Sequence, residues 1–238
     1  MLAGIHQPNY MPYYGFFHKV ANCDMFVLMD TVQFVKTGPF GWQPRNKIRT
    51  KWGWIWLTVP VLSKGRFSQK ICDVDIDNTQ DWRRKHWGSI YYNYKNTPYF
   101  NKYSDFFESV YKKNWHKLVD LNLEIILYLL KALKITTKIS KSSKLAAEGQ
   151  NTHLLIDICK KIGATAYLSG MHGKDYMDAD LIKKSGLKTI FQNFNCPVYD
   201  QGYSDFIPNL SIVDLLFHKG DEAVDLILNK QEDVKLHV

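Results

Sequence analysis

Long apolar runs are missing from this sequence, and so are paired cysteines and the common nucleotide-binding motifs. No run approaches the roughly 18 apolar residues that cross a membrane, so we expect no membrane span. The N-terminus lacks a basic start followed by a continuous apolar stretch, so no secretion signal is indicated and we expect a cytoplasmic protein. The absence of a P-loop argues against ATP hydrolysis.

The four cysteines are scattered along the chain and form no C-x-x-C pair. This spacing predicts neither a zinc site nor a disulfide framework. We therefore expect buried thiols, no metal, and no cofactor that the sequence identifies. The cysteines are Cys23, Cys72, Cys159 and Cys196.

Basic residues outnumber acidic ones, 31 to 23, which gives a formal charge of +8 and favours anionic partners. Aromatic residues make up 14% of the chain, but no RNA-binding signature or regularly spaced basic helix is present, so nucleic acid is not expected. The 238 residues are 45% hydrophobic, enough for a substantial core. With no repeat or linker, we predict one domain over residues 1 to 238 and leave a homo-oligomer open.

The most informative stretch is the opening one, where a short apolar run gives way to His6, Gln7 and Asn9. Pro8 and Pro12 fix the backbone and remove two donors, so the pattern predicts a strand, a stiff polar loop and a helix. In α/β folds such a loop lies at the carboxyl edge of the sheet, where ligands bind, and the new helix offers N–H groups to an anion. The alternative is a rigid solvated turn, but four aromatics around the prolines favour a site.

A second apolar run, over residues 25 to 29, ends in Asp30 and completes a β-loop-α-β unit. If the two strands are parallel, Asp30 lies at the same sheet edge as His6. We predict that His6 is a general base, since its ordinary pKa is near neutrality, and that Asp30 orients its ring. Gln7 or Asn9 would then bind a carbonyl oxygen as charge develops.

Two further stretches are basic. Residues 42 to 47 are predicted to form a loop in which the planar fork of Arg45 fits a phosphate or carboxylate, although an ordinary surface ion pair is equally compatible. Residues 139 to 145 place Lys141 and Lys144 among serines, as in phosphate-binding loops; the alternative is a solvated linker.

Another strand-to-loop switch follows residues 166 to 168, where two glycines let the backbone approach a ligand closely. We predict that His172 is a substrate-binding or secondary acid-base residue that faces the same pocket as His6, although a surface histidine is often idle. The polar side chains predicted to bind substrate in this loop are Ser169, Lys174 and Asp175.

The remaining pattern defines the fold class. Residues 71 to 76 are predicted to form a strand, and residues 81 to 135 read as a helical insertion. Asp214, an isolated acid among apolar residues, is expected to be buried or used. Together the elements predict an α/β fold with a largely parallel sheet and flanking helices, Rossmann-like in layout.

Several segments resemble the WbqC-like family of bacterial proteins over nearly the whole chain. They are IHQPNYMPYYGFFHK, CDMFVLMDTVQF, WLTVPV, CKKIGATAYLSG and LSIVDLLFHKG. Members of that family resemble products of O-antigen, capsule and surface-glycan gene clusters. The resemblance therefore implies a cytosolic role in making or modifying activated sugars.

The resemblance also implies site residues that the local patterns do not single out, namely Gln33, Asn46 and Tyr176. At Trp42-Gln43-Pro44-Arg45-Asn46 the chain departs from a commoner family form with Asn before the Arg. The opening loop is similar in layout to class I nucleotidylyltransferases, but their His-x-Gly-His element is absent, so nucleotidyl transfer does not carry over. The family pattern covers His6, Gln7, Pro8, Pro12, Gly15, Asp30, Gln33, Arg45, Asn46, Ser169, Gly170, Tyr176 and Asp214.

Three function classes follow. We favour a transferase that moves an acyl or aminoacyl group to a nucleotide-linked amino sugar, because polar residues cluster after two separate strands. The second class is a nucleotidyl- or glycosyltransferase of the same pathway. The third is a non-catalytic binding protein for glycan assembly. The expected ligand is a nucleotide-linked sugar or another anionic small molecule.

Overall fold

A five-stranded parallel sheet organises the protein, whose computed structural model describes residues 1–38, 40–175 and 177–228. With strands numbered in chain order, it contains β1 (Leu2–His6), β2 (Met25–Leu28), β5 (Lys138–Lys141), β6 (Ala166–Ser169) and β7 (Lys188–Phe191). The order across the sheet is β5-β2-β1-β6-β7, and every pairing is parallel. The chain runs outward from the central β1 first to one side and then to the other. This confirms the predicted α/β, Rossmann-like fold.

Helices flank the sheet and fill the segment predicted as a helical insertion. That segment contains α2 (Trp82–Tyr94), α3 (Phe100–Lys112) and α4 (Leu118–Ala132). The other helices are α1 (Tyr14–Ala21), α5 (Asn151–Lys161), α6 (Ala179–Lys184), α7 (Ile212–Lys219) and α8 (Glu222–Leu228). The larger core joins α1, the helical block and α7, whereas a smaller core packs α5 against β1 and β6. No helix among the described residues is long and apolar enough to cross a membrane.

A separate antiparallel hairpin is formed by β3 (Arg45–Thr50) and β4 (Gly53–Thr58). The basic loop predicted at residues 42 to 47 therefore becomes a strand at Arg45. The predicted loop at residues 139 to 145 likewise begins as the edge strand β5. A polar edge strand has little hydrophobic signal, because only one of its sides is paired and its side chains stay partly in solvent.

The strand predicted over residues 71 to 76 is wrong. Ile71–Asp73 forms one turn of 3₁₀ helix, and the chain then makes only isolated bridges, from Val61 to Ile76 and from Asp75 to Lys117. The apolar alternation there reflects burial of Ile71, Val74 and Ile76 beneath the helical block. Burial at alternate positions does not require a neighbouring strand.

Asp214 of α7 is fully buried. Burial was one of the two outcomes expected for this isolated acid. Its carboxylate accepts hydrogen bonds from the Tyr94 hydroxyl at 2.9 Å, the Tyr199 hydroxyl at 2.6 Å and the Gln201 amide at 3.0 Å. Burial raises the pKa of Asp214, while these donors oppose the rise. The acid therefore ties α2, α7 and the 199–201 segment together.

Candidate functional site at the sheet switch point

The carboxyl ends of the five strands form one edge of the sheet. Between β1 and β6 lies the point at which the strand order reverses, because β2 and β5 lie on one side of β1 and β6 and β7 on the other. In open α/β sheets of this order, ligands bind outside this switch point. β1 ends at His6, β6 ends at Ser169, and the two strands pair directly. Asp30 follows β2, and Lys141 is the last residue of β5, at the same edge. The topology thus brings together the polar residues that follow separate strands in the sequence.

His6 presents one free nitrogen at this edge. Its Nδ1 lies 2.9 Å from the Gln7 carbonyl oxygen, which can only accept, so Nδ1 carries the proton and Nε2 holds a lone pair. Burial and, secondarily, the charge of Lys19 lower the pKa of His6 to about 4, against a smaller opposing effect of the Gln7 hydrogen bond. The ring packs edge-on against Phe16, with centroids 5.3 Å apart. His6 is therefore neutral at pH 7, with a proton-accepting atom that has no hydrogen-bond partner among the described residues.

Lys19 is an unusual buried cation behind this ring. Its Nζ donates to the Ile5 carbonyl at 2.8 Å and lies 5.6 Å from the centroid of the Tyr167 ring. Burial lowers the pKa of Lys19 to about 8, and nearby Cys23 partly offsets the shift. A cation beneath β1 keeps positive charge close to His6, which opposes protonation of the imidazole.

Gln7 is held in one amide orientation by Gln43, a residue that the sequence patterns did not single out. The Gln43 Nε2 donates to the Phe40 carbonyl at 2.8 Å and also to the Gln7 Oε1. Because the Phe40 carbonyl only accepts, the Gln43 nitrogen must face it, and the Gln7 oxygen must face Gln43. The Gln7 amide nitrogen is left without a hydrogen-bond partner in the described part of the chain. Gln7 thus offers a donor on the residue that directly follows His6.

Asn122 fixes Gln43 in turn. Its Nδ2 donates to the Pro8 and Gln43 carbonyls, each at 2.8 Å, from a fully buried position on α4. The Asn122 nitrogen is therefore satisfied by two backbone carbonyls. Its Oδ1 and the side-chain oxygens of Gln43 and Asn9 are buried without protein partners among the described residues. Buried acceptors of this kind require a donor from water or a ligand.

Asn9 and Asn46 shape the loop from beneath. Asn46 Nδ2 donates to the Met11 carbonyl at 2.6 Å, and Met11 has a left-handed backbone with φ of 42°. Such a backbone is costly for a side chain with a Cβ, so Asn46 helps hold a strained turn. Both asparagines are more than nine-tenths buried. The structure gives Asn46 an anchoring role in the loop and shows no ligand-facing atom for it.

Asp30 is fully buried and bonded to the loop after β5. Its Oδ1 accepts from the Ser142 hydroxyl and the Ser143 N–H, both at 2.9 Å, and its Oδ2 accepts from the Ser143 hydroxyl at 2.6 Å. The Asp30 N–H returns a bond to Ser142 Oγ at 3.0 Å. The predicted hydrogen bond from Asp30 to His6 is absent, because both carboxylate oxygens are directed to residues 142 and 143. The Gln7 carbonyl orients the imidazole instead.

The residues after β6 are different in character. Ser169 is fully buried, with its hydroxyl donating to the Gly170 carbonyl at 3.1 Å, and a short 3₁₀ helix, Met171–Asp175, covers it. A Cβ on Gly173 would lie 1.9 Å from Ser169 Oγ, so only glycine allows this close covering. His172 is exposed and pairs with Asp175 at 3.4 Å. Tyr176 lies outside the described residues.

The predicted cationic contacts are dispersed. The Lys174 ammonium lies 4.7 Å from the centroid of the Phe191 ring, Lys141 is half-buried on β5, and Lys144 is exposed. Arg45 donates from Nε to the Gly41 carbonyl at 3.1 Å and stacks 4.3 Å from the centroid of Trp56. Gln33 donates to the Phe67 carbonyl at 2.8 Å. Of these predicted site residues, only Lys141 belongs to a strand of the five-stranded sheet.

The start of α1 is closed. Tyr14, Gly15, Phe16 and Phe17 are buried, and the Tyr13 ring lies where a Cβ of Gly15 would be. The helix terminus expected to bind an anion is therefore covered. The two surface depressions of about 460 Å³ and 350 Å³ lie elsewhere, beside α5 and α6 and beside α4 and β5. Within the described residues, no three His, Cys, Asp or Glu side chains are grouped to hold a metal.

The order of the strands and the neutral histidine at the switch point define a Rossmann-like α/β protein with a candidate small-molecule site. The sequence model of the WbqC-like protein family matches residues 7–226, and the chain belongs to that family. This confirms the resemblance carried by the opening loop and the later segments.

A relative in Mycobacterium tuberculosis (strain ATCC 25618 / H37Rv) bears the name "Uncharacterized protein Rv1507c". It is 34% identical over 225 residues, which cover 94% of this chain and 96% of the relative. No solved structure matches the chain.

Proposed function

We propose that this protein is a cytoplasmic enzyme of bacterial surface-polysaccharide biosynthesis that transfers an acyl or aminoacyl group to the amino group of a nucleotide-linked sugar. The observation that carries the proposal is a free acceptor on His6 and a free donor on the adjacent residue, Gln7, at the end of β1. His6 offers an unoccupied proton acceptor, and Gln7 offers an amide N–H₂ whose orientation Gln43 fixes. Acyl transfer needs both a base and a donor for the developing oxyanion.

The chemistry would proceed by addition and elimination. The sugar amine attacks the carbonyl carbon of an activated donor such as a thioester, forming a C–N bond while charge develops on the carbonyl oxygen. The Gln7 N–H₂ donates to that oxygen, and His6 Nε2 takes the proton from the nitrogen. When the C–S bond breaks, His6 returns the proton to the leaving thiolate. The protein ends as it began.

The low pKa of His6 suits this role in one respect and limits it in another. A pKa of about 4 keeps the imidazole neutral throughout the physiological range, so the acceptor is always free. The same shift makes it a weak base, so it serves an amine that loses its proton as the C–N bond forms. An attacking group that must be ionised beforehand would need a stronger base.

The second candidate, a nucleotidyl- or glycosyltransferase, is favoured by the strand order, which is that of many nucleotide-binding folds. Reaction products distinguish the two. Acyl transfer adds the donor's acyl mass to an intact nucleotide-sugar, whereas the alternatives release pyrophosphate or a nucleoside diphosphate.

The test is a thermal-shift screen against nucleoside diphosphate sugars that differ at one position by an amine, an acetamide or a hydroxyl. A bound ligand raises the melting temperature in proportion to its affinity. We expect the amine to stabilise the protein, and we expect mass spectrometry to show acylation when a thioester donor is added. Stabilisation by all three sugars without any product would instead indicate a binding protein, and no stabilisation by any sugar would reject the proposal.

A further inference from the structure

The protein's excess positive charge is concentrated in one segment. Residues 31 to 72 contain eight Lys and Arg residues and no Asp or Glu. The rest of the chain holds 23 basic and 23 acidic residues. The whole formal charge of +8 therefore lies in the part of the chain that contains the β3–β4 hairpin and the loops beside it.

The outer face of the hairpin alternates cations and indoles. The side chains of Asn46, Ile48 and Leu57 are buried on one face of the hairpin. Because strand residues alternate, Lys47, Trp54 and Trp56 lie on the other face. Lys47 Nζ lies 4.5 Å and 5.3 Å from the ring centroids of Trp54 and Trp56.

Arg45 lies 4.3 Å from the Trp56 centroid on the same face. Neither Arg45 nor Lys47 forms an ion pair within the described residues, so their charges are available to a partner. The third cation of β3, Arg49, is buried and neutralised by Asp205 at 2.5 Å.

The tip of the hairpin carries Lys51 and Trp52. Trp52 is 88% exposed, and the Lys51 ammonium lies 5.0 Å from its ring centroid. Trp54, on the outer face of β4, is 42% exposed and continues the aromatic surface from the tip. An indole left in water on a protruding turn is costly, and indoles favour the boundary between water and lipid.

We propose that the β3–β4 hairpin docks the protein on an anionic lipid surface. The Trp52 indole enters the headgroup layer, while Lys51, Lys47 and Arg45 contact the lipid phosphates. Each basic residue near such a surface adds to the attraction, and a single exposed apolar anchor adds hydrophobic burial. The indole and cation requirements are both met by residues of one hairpin.

The arrangement fits a lipid surface better than a single-stranded nucleic acid. Stacked bases need aromatic faces that are free within a basic groove. Here the faces of Trp54 and Trp56 are occupied by Lys47 and Arg45, and Trp52 stands on a turn that projects from the molecule. A projecting tip cannot enclose a strand, but it can enter a headgroup layer.

Vesicle co-sedimentation of the full chain tests the proposal, with vesicles of phosphatidylcholine alone and with about 30 mol% phosphatidylglycerol. We expect binding only to the anionic vesicles, a blue shift of tryptophan emission, and release as salt is raised from about 0.05 to 0.5 M. Trp52→Ala should weaken partitioning about tenfold. Because the side chain is exposed, the melting temperature should not change.

Charge-matched controls separate the hairpin from the net charge. Lys47→Gln/Lys51→Gln should reduce vesicle binding at least as much as Trp52→Ala. Lys183→Gln/Lys184→Gln, on the exposed side of α6, removes the same charge elsewhere and should retain binding. Equal losses in the two double variants, equal binding to both kinds of vesicle, or no binding at all would overturn the proposal. So would Trp52-dependent binding to a single-stranded oligonucleotide in place of vesicles.

Discussion

The two sides of the switch point differ in how firmly their polar groups are held. On the β1 and β2 side, the side chains of Gln7 and Asp30 are bonded to partners far away in sequence, and Asp30 is fully buried. On the β6 side, His172 and Asp175 are exposed, and their side chains pair with each other and with no other described residue. Atoms held in fixed positions suit the reacting centre, whereas exposed side chains can adapt to substrate. This contrast supports the proposed function, with chemistry on the first side and substrate contact on the second.

The largest expected effect is that of His6→Gln on turnover. Loss of a general base typically lowers the rate about 10²- to 10⁴-fold, while substrate binding through other groups is retained. The measurement is single-turnover kinetics on the sugar found in the screen, with the dissociation constant determined in parallel. His172→Gln is the matched control and should change turnover much less. Near-full turnover in a folded His6→Gln variant would remove His6 from the mechanism.

Asp30→Asn tests whether the β1 and β2 side of the switch point depends on the buried carboxylate of Asp30. An amide N–H₂ placed at Oδ1 would face the Ser143 N–H, which can only donate, and placed at Oδ2 it would require the Ser143 hydroxyl to turn and accept. In either orientation the hydrogen bonds to a charged acceptor are lost. We expect a loss of about 2–4 kcal/mol in the free energy of unfolding, measured by urea denaturation. Asp175→Asn, on the exposed side, should change it by less than about 0.5 kcal/mol. Similar losses in both variants would contradict the contrast between the two sides.

Buried histidines predict acid sensitivity. Burial lowers the pKa of both His18 and His86 to about 4, against about 6.5 when unfolded. Between these values the unfolded chain binds more protons, so stability is fully present above about pH 6.5 and falls as the pH drops toward 4. For His86 the contribution is up to about 3 kcal/mol.

Urea unfolding at pH 7.5 and at pH 5 would measure this dependence. His86→Gln keeps a donor and an acceptor for Thr58 and Tyr10 and should reduce the pH dependence. If the free energy of unfolding fell between pH 7.5 and pH 5 as much in His86→Gln as in the unsubstituted protein, the His86 ring would titrate as it does in the unfolded chain.

The smallest expected effect is that of Gln7→Glu. A carboxylate still accepts from the Gln43 amide, so the loop keeps its bond, but the outward N–H₂ is lost. We expect turnover to fall about tenfold with little change in melting temperature. Gln33→Glu alters a similar side chain away from the switch point and serves as the control. Equal turnover in both variants would mean that Gln7 contributes no donor to the reaction.

The sequence by itself determined which residues lie at the strand ends around the site. Apolar runs broken by polar residues placed His6, Asp30 and Ser169 at strand ends, and Pro8 and Pro12 marked a stiff loop. Parallel strands share their carboxyl edge, so the clustering of these residues followed from local pattern and topology alone. The excess of basic residues was also visible in the sequence.

Only the tertiary structure decided which hydrogen bonds these residues form. Asp30 meets Ser142 across 112 residues, and Asn122 reaches Pro8 across 114. A local pattern records which face of an element is buried, but it carries no information on which distant group a buried polar atom will meet. Neighbouring carbonyls also determine which nitrogens of His6 and Gln7 are free. A carbonyl oxygen only accepts, so the Gln7 carbonyl fixes the proton on His6 Nδ1, and the Phe40 carbonyl fixes the orientation of the Gln43 amide that bonds to Gln7.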